Sequence, residues 1–210
     1  MTTTIPRGAV TITRRQAHDA DACVEDTRRV LDHIRERDGR IPRKDKRISL
    51  QDVADVLGVD GVIWCLGALG EDRLLRMFAV RCARRALRTA DVRDPRSWRA
   101  VRVAQWHAQG WATEPELSVA ARAGWASAAR PAAYDATSAQ AAARYAAWGA
   151  ACGAAWGAAW GAVWGPVWGA ACGAVWDASW AAAWNAEREA QLNLMLTMAG
   201  YGPADTAVGA

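Results

Sequence analysis

Between Trp148 and Trp176 the chain reads WGAACGAAWGAAWGAVWGPVWGAACGAVW, and none of these residues carries a charge. The stretch belongs to a four-residue frame. One position holds Trp148, Cys152, Trp156, Trp160, Trp164, Trp168, Cys172, Trp176, Trp180 and Trp184. The next holds Gly149 through Gly173, then Asp177, Ala181 and Asn185, and the other two are almost all Ala or Val. Residues 148–167 align with 168–187, so the region reads as a duplication of a unit that grew by tetrads.

Alanine favours helix, but the seven glycines from Gly149 to Gly173 oppose it by about 1 kcal/mol each, roughly 7 in all. A buried tryptophan removes about 150–250 Å² from water, on the order of 4–6 kcal/mol before entropy. Helix therefore requires that the indoles pack against something. A four-residue step drifts about 40° around a straight helix. Two helices broken or kinked near Gly165-Pro166 would each show one broad Trp face; a single helix would show Trp all round. The structural Trp face is expected to comprise Trp148, Trp156, Trp160, Trp164, Trp168, Trp176, Trp180 and Trp184.

Ahead of the repeat the pattern is also helical. Residues 16–37 carry Cys23, Val30, Leu31 and Ile34 at helical spacing, and Asp38-Gly39 stops that helix. RIPRKDKR (Arg40–Arg47) is a basic connector, read as a solvated loop ahead of a phosphate contact. Ser49 with Asp52 is a plausible cap for a short helix ending at Gly58. SLQDVADVLGVDGVIWCL has the outline of a helix-turn-helix, but Val62, Ile63, Trp64, Cys65 and Leu66 offer no group for a base edge or phosphate. A buried helical hairpin is expected there. EDRLLRMFAVRCARRALRTA is amphipathic: Leu74, Leu75, Phe78, Cys82 and Ala86 form the apolar stripe, and Arg73, Arg76, Arg81, Arg84, Arg85 and Arg88 line the rest. Asp94-Pro95 opens the next helix, and Gly110 closes it. Thr113 with Glu116 makes a capping box for another. No segment alternates with the period of a strand.

The expected fold is all-α, a helical N-terminal module packed with long Ala/Gly/Trp-rich repeat helices. Residues 1–15 are read as a flexible arm, 16–130 as the helical module, 131–198 as the tetrad-repeat module and 199–210 as a flexible tail. Five cysteines without a CxxC argue against a disulfide framework or a zinc site. His18, His33 and His107 fall in no ligand or catalytic motif, and Asp19, Asp21, Glu25 and Asp26 read as surface acidity. No nucleophile–base pair, P-loop or GxGxxG is present. The chain is expected to be no enzyme and to use no catalytic residue, cofactor or metal. A cytoplasmic location is expected.

The order DGVIWCLGALGEDRLLRMFAVRCARRAL, then DPRSWRAVRVAQWHAQGWATEPELSVAARAGWASAA, then an alanine-rich tetrad run, resembles a family of alanine-rich, all-helical phage and bacterial proteins. That family is similar to the immunity proteins of polymorphic-toxin systems. The likeness spans roughly Ser49 to Met198. It is most specific at Val62–Leu66, along the Arg73–Leu87 helix, and over Trp106–Ala121 with Gly110 and Thr113–Leu117. It implies an all-α, non-catalytic protein that binds a toxin or another effector; the glycine-rich tail departs from the usual pattern. The expected function is a non-catalytic helical binding protein, an immunity or counter-defence factor that sequesters a protein partner. The candidate partner surface is Arg76, Arg81, Arg84, Arg85 and Arg88, which complement an acidic effector. The alternative is a self-assembling protein whose Trp face makes a homo-oligomer. A membrane role through residues 145–176 ranks behind both: Ala and Gly contribute little to insertion, and Trp prefers the interface. Nucleic acid ranks lower, because the stretch lacks cations.

If the indoles are core, Trp160→Ala is expected to cost about 3–5 kcal/mol and to cause unfolding or aggregation. Acrylamide quenching of the indoles at the rate of free tryptophan would show the packing idea to be wrong.

Overall fold

A computed structural model of the 210-residue chain describes residues 5–6, 8–89, 93–123, 146 and 172–201. Residues 89, 121–123 and 172–179 are described in backbone only. The expected break near Gly165-Pro166 and five of the frame tryptophans (Trp148, Trp156, Trp160, Trp164 and Trp168) lie outside the described residues. The fold is all-α. Among the described residues there are seven helices and one small sheet. In chain order they are β1 (Thr11–Thr13), α1 (Arg14–Asp19), α2 (Val24–Asp38), β2 (Arg47–Ser49), α3 (Leu50–Ala68), α4 (Asp72–Thr89), α5 (Pro95–Ala108), α6 (Glu114–Ala123) and α7 (Cys172–Leu196), followed by a π-helical turn at Thr197–Tyr201.

The chain divides into two compact units, Met1–Leu74 with Leu192–Ala210, and Leu75–Gln191. A division at 130/131 had been expected from composition. Composition turns alanine-rich there, but the units follow spatial packing, which joins residues 192–201 to the N-terminal elements.

In the first unit, β1 and β2 pair antiparallel with Thr11 opposite Ser49, Ile12 opposite Ile48 and Thr13 opposite Arg47. Ile12 and Ile48 are both buried, and such directly opposed apolar pairs hold a short ladder together. Three-residue strands are too short to show alternation, so the strand and the ordered part of the supposed N-terminal arm were missed. Thr13 then caps α1. Its hydroxyl accepts the Gln16 N–H at 3.2 Å while the Gln16 side chain accepts the Thr13 N–H at 2.9 Å. The helix expected over 16–37 is two helices. The chain turns at Asp21, which takes a left-handed φ of 55°, and α2 begins at Val24. The stop at Gly39 is where the sequence placed it, with φ 72° and its N–H on the Arg35 carbonyl at 2.8 Å.

Ser49 is the N-cap of α3, its hydroxyl accepting the Gln51 N–H at 3.0 Å. Its expected companion Asp52 serves elsewhere, paired with Arg37. Gly58 breaks α3 with φ 63° and ψ −158°, a conformation essentially confined to glycine. The two halves close tightly at Gly61, where a Cβ would stand 2.4 Å from the Leu57 Cβ and 3.2 Å from a Val53 methyl. Val53, Ala54, Val62, Ile63 and Leu66 are buried, as expected, but the segment is one helix kinked at Gly58 where a hairpin was expected.

Residues 199–201 are no loose tail. The Val10 N–H donates to the Ala199 carbonyl at 2.9 Å. The Tyr201 hydroxyl accepts the Leu50 N–H at 3.1 Å and donates to the Val10 carbonyl at 2.6 Å. Gly200 allows this contact: with φ 91°, a Cβ there would meet the Ala9 Cα at 2.9 Å.

In the second unit, α4 buries Leu75, Phe78, Ala79, Cys82, Ala83 and Leu87 almost completely. This stripe is rotated from the expected one, since Leu74 and Ala86 are only half-buried. Asp94 caps α5 by accepting the Arg96 N–H at 3.1 Å, with Pro95 in the first turn. Gly110 (φ 79°) ends the helix, where the Trp111 N–H returns to the Trp106 carbonyl at 2.8 Å. The Thr113–Glu116 capping box opens α6, which packs against α5. Its Glu116 carboxyl is held below the usual carboxylate range by the Thr113 backbone N–H and then by the Thr113 hydroxyl.

Gly61→Ala is expected to destabilise the chain by about 1–3 kcal/mol, because Leu57 presents its Cβ and not a flexible tip. Tyr201→Phe is expected to cost about 1–3 kcal/mol, since the part-buried Leu50 N–H loses its acceptor. Urea unfolding measures both. Unchanged midpoints would show that neither contact is made in solution.

Candidate functional site

The arginines of α4 were the candidate partner surface, and the fold gives them different roles. Arg84 donates to the Gln105 side chain on α5. Arg85 pairs with Glu187 on α7, Nε to Oε2 at 3.0 Å. Arg76 is half-buried and engaged within the protein. Arg81 and Arg88 are exposed and have no partner among the described residues. They stand seven residues apart, two turns along one helix face, about 10 Å in rise. Three of the five candidates are thus occupied internally, and two are exposed without a partner among the described residues.

The partner of Arg85 was not foreseen. Glu187 is buried (side chain 7% exposed), and its Oε1 accepts the Gln191 Nε2–H at 3.1 Å. The Arg188 guanidinium donates to the Gln191 Oε1 at 3.2 Å. A buried carboxylate is tolerated only when paired and hydrogen-bonded, and this network supplies both. A signal was present in the sequence. Extending the tryptophan frame by helical steps from Trp180 and Trp184 leads through 187 to 191, so these polar residues continue the inward stripe. Trp180 and Trp184 are half-buried on that stripe, and the Trp176 backbone is helical.

Cys82 lies beside this network. Burial, and then the Glu187 charge, push its thiol up to about 12, so it stays protonated at neutral pH. Cys65 is pushed up to about 12 by burial. Neither is an activated nucleophile.

A second polar seam joins α2 to α3 within the first unit. Arg29, His33 and Arg37 recur every fourth residue along α2, and each reaches α3. Arg29 donates to the Val56 carbonyl at 3.3 Å, His33 Nε2 lies 3.8 Å from Asp55, and Arg37 pairs with Asp52. Arg37 also donates to Asp38 at 2.9 Å. It holds the Asp38 carboxyl below its usual range, while Asp38 first and Asp52 next raise the guanidinium. His33, Asp52 and Asp55 bring ligand-type atoms within 4.8 Å of one another. A divalent ion there would have to displace Arg37 from Asp52 and Gln51 from Asp55, to which Gln51 donates at 2.8 Å. The geometry is that of an interhelical ion-pair seam.

The remaining polar groups stay dispersed. His18 is exposed beside Asp19, while Glu25 and Asp26 pair with Arg28 and Arg29 one turn on. At the α5–α6 corner Trp106 and Trp111 are 41% and 73% exposed, and His107 Nδ1 and Gln109 Oε1 have no partner among the described residues. Burial, and then the Arg76 charge, hold the His107 imidazole below its usual range.

No protein-family model, no curated protein and no solved structure matches this chain. Among the described residues no helix is long and apolar enough to cross a membrane.

Arg85→Ala is expected to cost about 1–3 kcal/mol. This is less than for a fully buried pair, because the Arg85 side chain is 52% exposed. Arg81→Ala is expected to stay within about 0.5 kcal/mol of wild type. Chemical denaturation of the two variants measures the difference; equal losses would overturn this division of roles. Lowered folded-state pKa values mean that the folded chain binds fewer protons. Stability contributed by His107 is therefore present above the unfolded imidazole value of about 6.5 and is lost as pH falls through the folded value. Melting temperatures from pH 8 to 5 are expected to fall more for wild type than for His107→Asn.

Proposed function

We propose that this chain is a non-catalytic helical binding protein that sequesters an acidic protein partner, as an immunity or counter-defence factor does. The observation that carries the reading is the state of α4. Its inner face is buried, Arg84 and Arg85 lock it to α5 and α7, and Arg81 and Arg88 remain exposed on a fixed backbone. Cations held in place on a rigid element steer and register an acidic partner at little ordering cost. The likeness to immunity proteins between Ser49 and Met198 supports the same reading.

Affinity capture with the full chain, followed by titration of the purified captured protein, tests the reading. Arg81→Glu/Arg88→Glu is expected to weaken binding by about 10-fold or more, mostly through slower association, and to leave melting unchanged. Light scattering distinguishes the alternative. A large homo-oligomer that captures nothing would overturn sequestration and favour self-assembly through the Trp-rich repeat.

A further inference from the structure

After α2 ends at Gly39, the basic segment 40–46 folds back beside the helix end. It is tied down along its length. Arg14 Nη1 donates to the Pro42 carbonyl at 3.1 Å, and the Arg15 N–H donates to the Lys44 carbonyl at 3.2 Å. Arg15 also pairs with Asp45 at 2.9 Å, and the Lys46 N–H closes a turn onto the Arg43 carbonyl at 3.0 Å. The segment is therefore a held loop, where the sequence alone suggested a solvated connector.

The fold-back encloses a pocket of 420 Å³, within the size range of small-molecule sites. Ile34, Ile41 and Pro42 give it apolar walls, Arg40, Arg43 and Lys46 bring three cations to its lining, and Asp38 brings one carboxylate. The three recur every third residue, so the turn at 43–46 gathers them. None has a carboxylate partner among the described residues. The carboxylates nearby are committed, Asp38 to Arg37 and Asp45 to Arg15. Against the three positive charges stand the Asp38 carboxylate, itself bound to Arg37, and about half a charge from the C-terminal end of α2, so the lining stays net positive. A monocarboxylate would neutralise one of them. A phosphate monoester brings nearly two charges and three acceptor oxygens, which suit arginine forks.

We infer that this pocket binds a phosphate monoester whose apolar or aromatic body packs on Ile34, Ile41 and Pro42. The site lies in the first unit and is independent of the proposed α4 surface.

Isothermal titration calorimetry of the full chain with phenyl phosphate, inorganic phosphate and benzoate tests it. Phenyl phosphate is expected to bind saturably at one site. Inorganic phosphate, lacking the apolar body, and benzoate, lacking the second charge, should each bind at least about threefold more weakly. Arg40→Ala/Arg43→Ala/Lys46→Ala is expected to lose at least about tenfold in affinity with an unchanged circular dichroism spectrum, since all three side chains are exposed. Lys44→Ala, on the same loop but outside the pocket lining, should bind like wild type. Absence of saturable binding, equal binding by the triple variant, or an equal loss in Lys44→Ala would overturn the assignment. Equal affinity for inorganic and phenyl phosphate would remove the apolar part of it.

Discussion

An arginine can leave a helix only where its apolar neighbours do not, and on α4 this constraint governs the second unit. Leu75, Phe78, Ala79, Cys82, Ala83 and Leu87 occupy the inner face, and Val80 widens it. Arg84 and Arg85 emerge at the edges of that face, where α5 and α7 lie within reach, so each finds a polar group to bind. Arg81 and Arg88 point away from both edges. Apolar burial thus decides which guanidiniums hold the fold together and which stay exposed.

The buried Glu187 shows why the internal pairs matter. Taking one carboxylate out of water costs several kcal/mol unless it is matched, and α7 places it beside Arg85 and Gln191 with hydrogen bonds to both. A mismatched register of α7 would strand that charge. The α2–α3 seam in the first unit depends on register in the same way: Arg29, His33 and Arg37, every fourth residue on α2, meet the Val56 carbonyl, Asp55 and Asp52, and a slip of one turn would misplace all three at once.

What the sequence disclosed was local chemistry. Asp94-Pro95, Thr113 with Glu116, and the stops at Gly39, Gly58 and Gly110 act within one turn of chain, so their effect is visible in adjacent residues. What it withheld was non-local. Ile12 finds Ile48 across α2, and Tyr201 reaches Val10 and Leu50 from the far end of the chain; no short window contains both partners. The candidate site was half legible for the same reason. Six arginines on one helix could be counted, but which of them were occupied depended on Gln105 and Glu187. Glu187 was overlooked because a glutamate in a polar stretch reads as surface, although the tryptophan frame leads to it.

The formal charge of +4 is not spread evenly over this molecule. Carboxylates are consumed locally: Glu25, Asp26 and Asp32 pair with arginines three residues on, Asp38 and Asp52 share Arg37, and Asp45 and Glu187 take Arg15 and Arg85. Among the described residues, Arg81 and Arg88 on α4 and Arg40, Arg43 and Lys46 on the held loop form no ion pair with a carboxylate, although Asp38 stands beside the loop cations. Exposed cations of this kind are screened within about 8–10 Å at ordinary ionic strength. Their influence is therefore short-ranged, on the last approach of a charged group and on contact with it. Contact needs a fixed backbone, and both groups have one, a helix pinned by two of its own arginines and a loop tied down by Arg14 and Arg15.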